Sequence, residues 1–139
     1  MIKIQRYHEI DCGHRVVNHE SKCKHLHGHR YRISFVCHAP QLDSIGRVID
    51  FSEIKTRLCA WLEEHWDHRL LLWDQDPHLV ALQTLEPASV VPVPFNPTAE
   101  NMADHLLRVV APACMAGTGI TVTEITINET TKCSATAAL

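Results

Sequence analysis

No stretch of this sequence is apolar for long enough to cross a bilayer, so no membrane-spanning helix is expected. Positive charge is not in excess either. The net charge is −3 at neutral pH, which gives no electrostatic footprint for a nucleic acid or an anionic lipid surface. The opening Met1-Ile2-Lys3-Ile4-Gln5-Arg6-Tyr7-His8 alternates apolar and polar residues and lacks the apolar core of a secretory signal. A cytoplasmic protein is expected. The six cysteines, Cys12, Cys23, Cys37, Cys59, Cys114 and Cys133, include no Cys-x-x-Cys pair, and a cytosolic chain would keep them reduced. Internal repeats, linkers and low-complexity segments are missing, and 139 residues suit one domain spanning 1–139.

What the chain does have is histidine, eleven in all. The informative stretch is Cys23-Lys24-His25-Leu26-His27-Gly28-His29, which opens a predicted strand. In an extended chain, residues i and i+2 project from one face, so His27 and His29 present two imidazoles side by side. Gly28 between them lets other backbone approach closely. His14 lies at the end of an earlier predicted strand. If the two strands pair, three neutral imidazoles converge, the pattern of a catalytic zinc site with one open position. His8, His19, His25 and His38 are the alternative ligands, read here as surface or supporting residues. Cys23 sits in a polar loop between Lys22 and Lys24, and positive neighbours with a metal nearby favour thiolate. Most of the other cysteines read as small buried residues.

Residues 2–11 and 27–37 read as strands by their alternation. Asp50 is a predicted helix N-cap, with Glu53 completing a capping box, and apolar spacing carries that helix to about residue 65. Asp67-His68 follows, placed where a loop can face a cleft. Five prolines between 77 and 97 exclude a long regular element there. Residues 78–85 suit one or two helical turns, and 90–95 suit an edge strand. Thr98 caps a second helix, Glu100 favours its first turn, and Pro112 marks its predicted end. Residues 120–128 form a β-branched strand, and 133–139 a short last one. The order β-β-α-α-β-β predicts an α+β domain: a four-stranded antiparallel sheet with two helices on one face.

Six pieces in this order resemble the 6-pyruvoyl-tetrahydropterin synthase superfamily. They are His14-Arg15, Cys23-x-x-x-His27-Gly28-His29, Val48-Ile49-Asp50-Phe51, Asp67-His68, Pro97-Thr98-Ala99-Glu100-Asn101 and Glu129-Thr130. The spacing of Cys23 from the His-Gly-His is similar to the 6-carboxy-5,6,7,8-tetrahydropterin synthases of queuosine (7-deazaguanine) biosynthesis. The resemblance implies the tunnelling fold and a hexamer of two stacked trimers, with sites between subunits and Cys23 and Glu129 drawn from different chains. It implies a Zn2+ cofactor on His14, His27 and His29, with Cys23 as general base and Asp67 and His68 as a second proton relay. Glu129 would anchor a pterin ring, while Thr98 and Glu100 would help line that pocket. Lys22, Lys24, Arg15 and Lys132 are candidates for a triphosphate. Arg30, Trp66 and Leu72 depart from the family's usual residues without touching a ligand or catalytic position.

The implied reaction takes 7,8-dihydroneopterin triphosphate and water to 6-carboxy-5,6,7,8-tetrahydropterin, acetaldehyde and triphosphate. One rival is a 6-pyruvoyl-tetrahydropterin synthase, which eliminates triphosphate without side-chain cleavage. A second is a non-catalytic zinc-stabilised module with Cys23 as fourth ligand. A third, a zinc hydrolase, expects a glutamate beside the ligands, and Glu20 is poorly placed for it.

Overall fold

Two long strands lead the fold in the computed structural model, which describes residues 1–139. Strand β1 (Lys3–His14) and strand β2 (His27–His38) pair antiparallel along their whole length, from Lys3 opposite His38 to His14 opposite His27. The alternation in sequence becomes alternation in burial. Ile10, Cys12 and His14 of β1 and Tyr31, Ile33, Phe35 and Cys37 of β2 are buried. The opposite face carries the cross-strand ion pairs Glu9–Arg32 (3.0 Å) and Asp11–Arg30 (2.9 Å). Exposed pairs of this kind contribute only about 0–1 kcal/mol each. Burial of a large apolar side chain contributes roughly 1.5–3 kcal/mol, so the apolar face decides the register.

Further elements are α1 (51–65), β3 (Leu70–Trp73), α2 (Leu79–Leu85), β4 (Val90–Val93), α3 (99–114), β5 (Thr121–Asn128) and β6 (Ser134–Ala138). The sheet has six strands, in the order β4-β3-β1-β2-β5-β6. The expected four-stranded antiparallel sheet is therefore corrected in count and direction. β1, β2, β5 and β6 are antiparallel as expected, but β3 and β4 add a parallel wing, with Leu71 opposite His14 and Pro92 opposite Leu72. The Leu70-Leu71-Leu72-Trp73 run has no period to read, and its partner lies far away in sequence. The extended edge expected around 90–95 is β4, whose proline sits at the rim where a ladder donor can be spared.

Asp50 caps α1 by accepting from the Ser52 N–H at 2.8 Å. Glu53 does not close a capping box, because its carboxylate accepts from Arg57 at 3.0 Å instead. Thr98 caps α3 through the Asn101 N–H at 3.1 Å. Pro112 does not end that helix. A π-helical turn at Leu106–Val110 precedes it, so Pro112 falls in the first turn of a fresh α segment, Ala111–Cys114, where a missing N–H is tolerated. Helix residues Ile54, Leu58, Leu62, Met102, Leu106 and Leu107 join the buried sheet face in one core. No helix is long and apolar enough to cross a membrane. Of the six free cysteines, Cys12, Cys37 and Cys59 are buried, Cys23 and Cys114 are half-buried and Cys133 is exposed.

Candidate active site

The register of β1 on β2 brings the three histidines together. His14 lies directly opposite His27, and His29 lies opposite Cys12 on the same buried face. One ligand atom from each of His14, His27 and His29 lies within 4.8 Å of the others. Gly28 lies opposite Gly13, and a Cβ at Gly28 would come 3.3 Å from the Cys12 carbonyl oxygen. The strands can close tightly at this end because that Cβ is missing.

Hydrogen bonds orient two of the rings. His14 Nδ1 donates to the Pro97 carbonyl at 2.7 Å, and His27 Nδ1 donates to the His25 carbonyl at 2.7 Å. With those protons donated outward, each ring in its neutral form turns an unprotonated Nε2 toward the other, and the two nitrogens are 2.9 Å apart. Two lone pairs at that distance repel unless a cation lies between them. Burial holds the His14 imidazole neutral, pushing its pKa down to about 4. Burial lowers His29 as well, against the opposing pull of Glu129. His29 Nε2 is buried with no hydrogen-bond partner. Three neutral nitrogens, two of them fixed by backbone carbonyls and one orphaned, fit a borderline Lewis acid such as zinc. Beneath them, the Tyr31 ring stands edge-on to His14 and His29, and its hydroxyl is also buried without a partner.

Beside the histidines lies a pocket of about 290 Å³. Cys23, Thr98, Glu100 and Glu129 all line it, together with Val16, His19 and Cys133. Glu129 joins pocket to histidines, its Oε1 lying 3.8 Å from His29 Nε2. Cys23 sits on a short 3-10 turn, Lys22–Lys24. Cys23 and Glu129 therefore face one pocket within a single chain. The reason is topological: β5 pairs with β2, so the residue after Asn128 emerges next to His29. The Asn96 side chain ties the chain next to the lining residue Val16 to that before Thr98, accepting from Val17 N and donating to Val17 O, each at 2.9 Å.

Asp67 and His68 are elsewhere. They follow α1, and His68 takes a left-handed backbone conformation with φ 59°. Asp67 accepts from the Asp11 N–H at 2.9 Å and from His68 Nδ1 at 2.8 Å. Partial burial pushes the Asp67 carboxyl up, but the Asp11 N–H and His68 outweigh it and hold the group below the usual range. The hydrogen bond and charge of Asp67 raise the His68 pKa. His68 lines an open cleft with Asp11, Gly13, His29, Arg30 and Arg69, and its side chain is 76% exposed. No residue lines both this cleft and the Cys23 pocket.

Lys22, Lys24 and Lys132 stand exposed near the pocket rim. Arg15 does not join them, because it is committed to the buried carboxylate of Asp76. Asp76 and Glu63, which meets His8 at 2.5 Å, carry no motif that marks them in the sequence. A larger cavity, about 580 Å³, opens beside the C-terminal end of α3, and Arg108 is the ionisable side chain in its lining.

Comparison with known proteins agrees with this geometry. The family profile described as 6-pyruvoyl tetrahydropterin synthase matches residues 3–138. A 6-carboxy-5,6,7,8-tetrahydropterin synthase of Rickettsia felis is 37% identical over 134 residues, covering 96% of this chain and 97% of its own. A probable 6-carboxy-5,6,7,8-tetrahydropterin synthase of Halobacterium salinarum is 35% identical over 119 residues, covering 83% and 75%. Among solved structures, an uncharacterized protein of Wolinella succinogenes superposes with a TM-score of 0.80 at 24% identity, covering 99% of both chains. The 6-pyruvoyl tetrahydropterin synthase of Caenorhabditis elegans superposes with a TM-score of 0.72 at 19% identity, covering 99% of this chain and 95% of its own. These likenesses carry the fold.

Proposed function

The chain belongs to the 6-pyruvoyl tetrahydropterin synthase family, and we propose that it is the member that converts 7,8-dihydroneopterin triphosphate and water to 6-carboxy-5,6,7,8-tetrahydropterin, acetaldehyde and triphosphate. The observation that carries this reading is the cluster of three imidazole nitrogens with Glu129 3.8 Å from His29, the same Glu129 that lines a pocket with Cys23. His14, His27 and His29 hold Zn2+, which when bound acts as a Lewis acid toward the substrate's side-chain oxygens.

The chain's own groups do the rest. Glu129 accepts from the amino and ring N–H groups of the pterin and fixes its orientation, a charge-assisted contact. Thr98 and Glu100 line the same pocket and bound the ring. Cys23 faces the substrate side chain and removes a proton there as general base. His68, oriented by Asp67, exchanges the other proton. In one chain it opens into a separate cleft, so a neighbouring subunit's Asp67–His68 completes each site. The hexamer expected of this family supplies that neighbour, with the sheet edges β4 and β6 as the strands left to cover. The protein works in the cytoplasm, and its product enters queuosine biosynthesis.

The test is a product assay with purified, zinc-loaded protein. Acetaldehyde and carboxytetrahydropterin both form, and both disappear in Cys23→Ala. A pyruvoyl product with triphosphate but without acetaldehyde moves the chain to the pyruvoyl branch of the family. The zinc-module reading is disfavoured by one observation: the cluster of potential ligands contains the three histidines and not Cys23.

A further inference from the structure

We propose that Arg15 and Asp76 are positioning residues for Cys23, a buried clamp that sets where the turn carrying the thiol stands. The proposal rests on the reading of Cys23 as the general base. The turn Lys22–Lys24 buries none of its residues, so side-chain packing does not place it. Hydrogen bonds from the tail of β1 do. The Val16 N–H donates to the Cys23 carbonyl at 2.8 Å, and Arg15 Nη1 donates to the Lys24 carbonyl at 3.1 Å.

Arg15 holds that bond because the rest of its guanidinium is fixed. Its Nε donates to Asp76 Oδ2 at 2.9 Å, and its Nη2 donates to Asp76 Oδ1 at 2.8 Å. The Asp76 side chain is fully buried, and Oδ1 also accepts from the His78 N–H at 2.8 Å. The carboxylate is thus immobile before Arg15 meets it. β3 delivers it there: Leu71 lies opposite His14, and Asp76 follows in the turn after β3. A rigid planar fork can satisfy a carboxylate with one edge and a carbonyl with another, which a lysine ammonium cannot do in the same geometry. A buried ion pair is weak evidence for stability as such, since apolar residues would often serve as well. What this one adds is a fixed direction from the β3 turn, past His14, to the turn of Cys23. The Arg15 charge is also neutralised here, so it is not left over for a phosphate.

The experiment uses full-length, zinc-loaded protein as parent, Arg15→Lys and Asp76→Asn. Each is treated with iodoacetamide, and alkylation is followed cysteine by cysteine by mass spectrometry. Exposed Cys133 is the reference for intrinsic reactivity, and buried Cys12, Cys37 and Cys59 report global opening. Freeing the turn raises the Cys23 rate about 3- to 10-fold relative to Cys133 in both variants, as a local opening does. The buried cysteines stay protected and zinc content is retained. Turnover moves the other way: kcat falls roughly 10- to 100-fold with KM within about twofold, the signature of a displaced catalytic group. Arg15→Lys does not rescue it.

A parent-like Cys23 rate in folded Arg15→Lys and Asp76→Asn overturns the proposal. So does equal acceleration at Cys12, Cys37 and Cys59 with loss of zinc in both variants, which would make the clamp a support of the whole fold. If the parent yields neither product while Cys23 alone is freed in the variants, the reaction assignment fails and the clamp stands.

Discussion

The pocket beside the histidines and the cleft at His68 both carry acid–base groups, yet they rest on different supports. The first is built at the end of the longest ladder in the sheet, twelve paired residues of β1 and β2, and backbone carbonyls aim two of its rings. It contains two buried polar atoms without partners, His29 Nε2 and Tyr31 Oη. The second stands on a single turn after α1, with its imidazole in solvent and its backbone in the left-handed conformation, uncommon outside glycine. One region is ordered by contacts within the chain, with polar atoms left free to bind. The other has its internal contacts satisfied and lacks surroundings. That contrast suits the proposed sharing of the site between subunits, with the histidine cluster and ring anchor in one chain and a second proton carrier from another.

Breaking the first region has the largest effect. His27→Ala removes a ligand from an oriented set, so bound zinc falls below stoichiometric and kcat falls by roughly 10⁴-fold or more. Metal analysis beside a rate assay checks this, and full activity in a zinc-depleted variant would sink the metal reading. Acid acts through the same region. His14 has an ordinary value of 6.5, lowered in the fold to about 4. A depressed histidine contributes stability that is present above its unfolded value and lost as pH falls through the folded one. The thermal midpoint of metal-free protein therefore drops as pH falls from 6.5 toward 4, and it drops less in His14→Gln.

Mixing sharpens the comparison directly. Cys23→Ala and His68→Ala are each expected to lose about 10²–10⁴-fold in kcat while keeping fold and zinc. Co-assembled in equal amounts from dissociated subunits, they regain roughly a quarter of the parent rate, because one site in four combines an intact thiol with an intact imidazole. No recovery in confirmed mixed oligomers would show that both groups act from the same chain.

A smaller effect separates the second region from solvent. Asp67 raises the His68 pKa, so Asp67→Asn lowers it. The alkaline limb of kcat/KM, where His68 loses its proton, moves to lower pH. A limb that stays in place would show that another group controls it. The smallest effect belongs to Thr98. Thr98→Ala costs about 1 kcal/mol through the lost cap. Thr98→Ser keeps the cap, so a rise in KM shared by both variants would mark a pocket role for the threonine methyl.

The histidine cluster was legible in the sequence because its signal is local. Alternation puts His27 and His29 on one face, and a second strand ending in His14 needs only to pair in register. The caps at Asp50 and Thr98 are equally local, and both form. Where the information is long-range, reading fails. Leu70–Trp73 carries no period, and Arg15 gives no hint of a partner 61 residues away. That Cys23 and Glu129 share one pocket follows from β5 lying beside β2, an adjacency no pattern in either segment records. The positions of Asp67 and His68 were legible as a motif but not as a place, because a turn between two elements points wherever those elements dock.

The bond from His14 to the Pro97 carbonyl bears on the order of events during synthesis. Its ends are 83 residues apart, and the neighbouring link between Val17 and Asn96 spans 79. A nascent chain presents the His-x-His pair early, but it cannot aim His14 until most of the polypeptide has emerged and closed a large loop. A metal ion met before that moment would find three imidazoles with His14 not yet aimed; one met afterwards would find His14 and His27 both aimed. On the proposed metal reading, tight binding is thereby reserved for chains that have finished folding, and the ion acts as an inspector of the completed product.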